Sequence, residues 1–182
     1  MAILIAYFSR ADENYVSGAL KSLEIGNTQV VSSMIQKFTC GELFHILPAK
    51  PYAKDYNTCI AQAQEDQRRN ARPELTAWPE HWVDCDTVYL GYPNYWGTMP
   101  MAVFTFLEGL DFTGKTILPF CTHEGSGLGR SEEDIRRLCP GAVVKPGLAI
   151  VGARAGHSEN VLRAWLGSNG KTICTSEQEE PV

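Results

Sequence analysis

The stretch that decides the fold is Val88-Tyr89-Leu90-Gly91-Tyr92-Pro93-Asn94-Tyr95-Trp96-Gly97-Thr98-Met99-Pro100. With Thr87 it opens on apolar, β-prone residues and breaks at Gly91. A short continuous apolar run bounded by turn residues is the pattern of a parallel strand buried on both faces. Three aromatics, Tyr92, Tyr95 and Trp96, then crowd among Pro93, Asn94 and Gly97. Loops run over the surface, where exposed rings gain nothing from burial. At the carboxyl end of a strand in an open α/β sheet, such a loop is where a ligand sits. The spacing predicts a wall for a flat ring.

Upstream, Ala2 to Phe8 is a second apolar run, ending at Ser9-Arg10, and reads as the first and central strand. Residues 11–25 carry no clean periodicity and read as a long loop, more often a functional cover than a linker at that length. Val30, Val31, Met34, Ile35 and Phe38 share one helical face, with Asn27 or Thr28 as cap and Gly41 as the stop. Glu42 to Leu47 reads as a strand nearer the sheet edge, and Tyr56 to Ala71 as a polar amphipathic helix. Trp78 to Asp86 reads as a connector anchored by Trp82, leading into a strand over 87–91.

Downstream of Pro100, which suits a first helical turn, Met101 to Leu107 is a strongly apolar helix stopped at Gly109. Lys115 to Cys121 is the fourth strand, and 122–129 a glycine-rich loop. Ser131 caps the next helix, with Asp134 three residues on. Val143 to Val151 is a fifth strand interrupted at Pro146-Gly147, and His157 to Leu166 the last helix. Five strand–helix alternations predict a doubly wound parallel sheet with helices on both faces. Residues 1–167 read as one domain, with 10–25 as an insert and 168–182 as a polar, mobile tail.

The 182 residues carry a net charge of −5 and are 44% hydrophobic, which suits one core and argues against nucleic-acid binding. No run approaches the roughly 20 apolar residues of a membrane span, and no secretory leader opens the chain, so a cytosolic protein is expected. Six scattered cysteines with no C-x-x-C pair read as free thiols, and no metal-ligand cluster, P-loop lysine or activated nucleophile stands out. His45, His81 and His157 show no partner spacing.

Four segments carry a resemblance: 7–10, 91–100, 120–129 and 138–142, the middle two being the most specific. Over residues 2 to about 166 the chain resembles the flavodoxin-like proteins, in particular their short stand-alone bacterial branch. The resemblance implies sheet order 2-1-3-4-5, non-covalent FMN, and electron transfer or a reductase reaction. It implies phosphate contacts from Ser9, Arg10, Asn27 and Thr28, in a loop that the insert splits. The insert either folds over the flavin and leaves the site intact, or occupies it.

The resemblance further implies that Tyr95 and Trp96 stack on or edge the ring, while Pro93, Asn94, Gly97 and Thr98 approach it through their backbone. Thr122, His123, Glu124, Gly125, Ser126 and Gly127 would face its pyrimidine edge. An imidazole titrates near neutral pH, so His123 is the candidate proton donor. Glu124 would disfavour an anionic reduced ring, unless it is a solvated carboxylate.

The function expected is that of an electron carrier or a small FMN-dependent, quinone-type oxidoreductase. The mild charge and the covering insert lean toward the reductase. A redox protein or a small-molecule acceptor would be the partner, and the chain a monomer or homodimer. The competing reading is a regulatory module that kept this fold and lost flavin.

Overall fold

The computed structural model describes residues 2–170. Its parallel sheet has the order β4-β1-β5-β6, built from Glu42–His45, Ala2–Tyr7, Cys85–Pro93 and Thr116–His123. Two short strands, β7 (Val143–Val144) and β8 (Leu148–Val151), both pair in parallel with β6. They are the fifth strand, cut where Pro146-Gly147 predicts the break. A proline has no N–H to donate to the ladder. The expected 2-1-3-4-5 order is therefore present, with one extra strand piece.

Alternation along the strands sorts side chains between two cores. Leu4, Ala6, Val88, Leu90 and Tyr92 face one side, packed with α3 (Met101–Gly109). Ile5, Tyr89, Leu118 and Phe120 face the other, against α1 (Asn27–Thr39) and α5 (Glu159–Ser168). Among the described residues, one buried side-chain polar atom has no hydrogen-bond partner, the Tyr89 hydroxyl, which burial also holds above its ordinary pKa at about 12. An unpaired buried hydroxyl costs free energy that phenylalanine does not carry. Tyr89→Phe is expected to be neutral to stabilising by about 1 kcal/mol, and a lower melting temperature would contradict it.

Residues 11–25 are not a structureless loop. They form an antiparallel hairpin, β2 (Asp12–Val16) with β3 (Ala19–Leu23). Ser17 (φ 51°) and Gly18 (φ 85°) make its turn, both in the left-handed region that matches the twist of paired strands. β3 is exposed almost throughout, so no apolar alternation advertised it.

Several expected ends also move. The residue before α1 is Gly26, neither Asn27 nor Thr28 caps it, and Cys40 (φ 54°) rather than Gly41 takes the left-handed exit. α2 (Tyr56–Arg68) stops before Ala71. β6 runs on to His123, so Thr122 and His123 end a strand instead of opening a loop. Arg130, not Ser131, precedes α4 (Ser131–Leu138), because the Ser131 hydroxyl is spent on Leu128 O (2.6 Å) and accepts from Tyr92 OH (2.9 Å). A 3₁₀ stretch, Gly152–His157, occupies the expected start of the last helix. For 171–182 the expectation of a polar, mobile tail lies outside the described residues.

Candidate functional site

The chain leaves β1 toward one side and fills the sheet on the other from β5 onward. The switch point between β1 and β5 is where an open α/β sheet leaves a crevice at the strands' carboxyl ends. A cavity of about 400 Å³ lies there. That is within the range of cofactor sites, roughly 300–1,000 Å³.

Its first wall rejoins the halves that the insert separates. Ser9 Oγ accepts from Gln29 N–H (3.0 Å), so the cap of α1 comes from the end of β1. Gly26 lies against the same strand end: a Cβ there would stand 2.3 Å from Ser9 Oγ and 2.4 Å from Arg10 O. The first turn of α1 carries no acidic residue, and Asn27 and Thr28 line the cavity. Free first-turn N–H groups and the helix dipole favour an anion at such a terminus. Thr28 Oγ1 reaches Thr122 Oγ1 (2.8 Å), tying α1 to the end of β6. Gly152 borders this corner, where a Cβ would meet Asn27 Nδ2 at 2.5 Å and Glu124 Oε1 at 2.7 Å.

The second wall is the 94–98 turn. Tyr95 N–H donates to Thr98 O (2.8 Å) and Thr98 N–H to Tyr95 O (3.2 Å), closing a two-residue turn on Trp96 (φ 53°) and Gly97 (φ 83°). A left-handed tryptophan is a genuine outlier that costs about 1 kcal/mol or more. It is held from α2: its indole N–H donates to Ile60 O (2.9 Å) and its carbonyl accepts from Gln67 Nε2 (3.2 Å). Trp96 as a residue stays 43% exposed and lines the cavity instead of packing into the core. Strain of this kind persists where the surroundings over-determine it, most often at ligand sites. Tyr95 turns the other way, edge-on to Phe8 (5.9 Å), with its buried hydroxyl held well above its ordinary pKa.

The third wall is the end of β6. Asn94 Nδ2 donates to Gly127 O (2.9 Å) and its Oδ1 accepts from Gly97 N–H (3.0 Å), locking the two loops together. His123 Nδ1 accepts from Gly125 N–H (2.9 Å), which places the proton of the neutral ring on Nε2. Glu124 is exposed to solvent, as the solvated-carboxylate reading expects, and both of its oxygens are also engaged. One of its oxygens accepts from Ser17 N–H and the other from Ala153 N–H, each at 3.1 Å. Burial pushes the Cys121 thiol up to about 12 and raises Cys59 as well, so neither is a nucleophile at neutral pH.

Of the residues singled out in the sequence, Ser9, Arg10, Asn27, Thr28, Pro93 to Gly97, Thr122 to Glu124 and Ser126 line the cavity. Thr98, Gly125 and Gly127 do not. Thr98 instead donates to Asp134 (2.6 Å), and Gly127 accepts from Asn94. Arg10 lines the cavity, but its guanidinium is committed to the carbonyls of Glu13, Ala53 (2.8 Å) and Lys54 (2.6 Å). Sequence reasoning missed Asn14 and Tyr15 on the hairpin, Tyr56, Ile60 and Ala63 on α2, and Gly152 after β8. The spacing of those α2 residues, one helical stripe, was the available signal. Tyr15 stacks on Tyr56 (6.2 Å between centroids), a contact that no local pattern announces.

The flavodoxin family model matches residues 2–169. A candidate flavoprotein from Bacteroides eggerthii is 28% identical, with 92% of this chain and 96% of that one covered and a TM-score of 0.73. Another from Bacteroides uniformis is 25% identical over 89% and 97%, with a TM-score of 0.70. A Lactobacillus acidophilus flavoprotein solved in complex with FMN is 16% identical over 86% and 97%, with a TM-score of 0.58, and shares the fold. No curated protein matches the chain.

Proposed function

The chain belongs to the flavodoxin family, and on that premise we propose that it binds FMN without a covalent bond in the switch-point cavity and serves as a small oxidoreductase. The observation that carries the reading is the rejoined corner, where Ser9, Asn27 and Thr28 meet at an acid-free helix start although sixteen positions, 10–25, intervene. A dianionic phosphate fits that donor set. When bound, FMN supplies one- and two-electron redox chemistry.

The chain's own residues do the rest. The first turn of α1 and the Ser9 hydroxyl orient the phosphate end. Trp96, held from α2, offers an apolar face beside the ring, while backbone groups of 93–97 approach its edge. His123, with its proton on Nε2, is the donor placed at the end of β6. Tyr15 and Tyr56 exclude water from the mouth.

A reductase acting on a small flat acceptor is favoured over a protein-docking carrier, because the hairpin adds a wall where a partner protein would approach. The flavin-free module loses its motive, since the insert returns the chain to the site instead of filling it.

The test is an absorption spectrum after incubation with FMN and gel filtration. Retained, shape-shifted flavin bands are expected, followed by faster reoxidation with a benzoquinone than with an added redox protein. Colourless protein at micromolar concentration refutes flavin binding. The reverse acceptor order refutes the reductase reading.

A further inference from the structure

The hairpin is fastened to the body at two places of unequal strength. At its base, Arg10 binds three carbonyls, Glu13 Oε2 accepts from Tyr56 N–H (3.0 Å) at the start of α2, and Glu13 N–H reaches Lys54 O (3.4 Å). At its tip, Glu124 holds the Ser17 N–H. The hairpin joins no strand of the main sheet, and β3 exposes nearly its whole length. A two-stranded hairpin by itself is only marginally stable in water. Its position therefore depends on these attachments, together with the burial of Val16 just before the turn and the stacking of Tyr15 on Tyr56.

We propose that the hairpin β2–β3 is a hinged cover of the cavity, and that Glu124 is a positioning residue that latches it shut. The part that concerns cofactor release rests on the FMN reading above. Each Glu124 oxygen serves a different element: one holds the hairpin turn, the other the 3₁₀ turn after β8. A carboxylate has two acceptor oxygens for two donors; an amide has one. That requirement explains glutamate here, and Gly152 leaves the room for it. With the latch closed, Asn14 and Tyr15 form the outer wall and Tyr15 rests on Tyr56. With it open, the base contacts remain and the tip swings away from the mouth. Opening of this kind is local, with a free energy well below that of global unfolding.

Hydrogen exchange of the FMN-free chain tests the latch without any ligand, and FMN dissociation tests the cover. Glu124→Ala should speed exchange of the amides over 13–23 by about tenfold, as loss of a charge-assisted hydrogen bond implies, and leave β5 and α1 unchanged. Glu124→Gln, keeping one acceptor, should fall between. Release of FMN should accelerate in the same order. Unchanged hairpin exchange in Glu124→Ala overturns the latch. Faster exchange with an unaltered FMN release rate overturns the cover, because the hairpin would then open without governing the mouth. A wild-type chain that retains no FMN sinks the flavin reading and leaves the exchange comparison to decide the latch.

Discussion

Gly26→Ala is expected to weaken FMN binding by at least about a hundredfold, a loss near 3 kcal/mol. The backbone is not the obstacle: Gly26 has φ −67° and ψ 149°, which alanine adopts freely. The added methyl is. It would stand 2.3 Å from Ser9 Oγ, 2.4 Å from Arg10 O and 2.7 Å from Arg10 C. A serine hydroxyl can rotate away, but the Arg10 carbonyl is main chain at the root of the hairpin. Its guanidinium is bound to Glu13, Ala53 and Lys54, so it cannot retreat without dragging the hairpin base along.

The corner must therefore open, and the Ser9–Gln29 cap with it. Loss of such a cap alone costs about 1 kcal/mol of stability, so Ser9→Ala should show a much smaller effect than Gly26→Ala. Gly156→Ala is the control, since its Cβ would meet nothing within 4 Å. Titration of FMN into each variant, followed by flavin fluorescence, measures the difference. Affinity within threefold of wild type in Gly26→Ala would refute the rejoined corner as the phosphate site.

Phe106→Ala should give the largest loss of stability, about 3–5 kcal/mol. Phe106 on α3 is fully buried, and four rings surround it: Phe44 at 5.7 Å, Phe112 at 6.1 Å, Trp82 at 6.2 Å and Trp78 at 6.3 Å between centroids. They belong to the edge strand β4, the connector and the turn after α3. Removing the central ring leaves a cavity that none of these neighbours can fill without moving its own element. For a chain of this length the melting temperature should fall by about 10 °C. Phe106 does not line the cofactor cavity, so the folded fraction should keep its FMN affinity within about twofold, sites without shared partners being nearly additive. A fall below about 3 °C, measured by calorimetry, would show that the ring cluster closes around the gap.

The amino-acid sequence alone determined the sheet. β1, β5 and β6 are continuous apolar runs because both faces of a central parallel strand are buried. Their period-two sorting between two cores follows from that. It also determined which loops follow the carboxyl ends of the strands, since turn residues must follow each buried strand, and where Pro146-Gly147 cuts the last strand.

Tertiary structure alone decided what the insert does. Its strands bury too little to carry an apolar alternation, so the segment reads as a loop without periodicity. Its place is set by Glu124, 107 positions away, and by carbonyls that Arg10 reaches 43 and 44 positions on. The caps failed to show for the same reason. Ser9 caps α1 from another element, and Ser131 is engaged by Tyr92. Trp96 takes a left-handed backbone that its side chain disfavours because Ile60 and Gln67 on α2 hold it there. Local preference is worth about 1 kcal/mol at each of these positions. Contacts from distant elements outweigh it, and they exist only once the chain has folded.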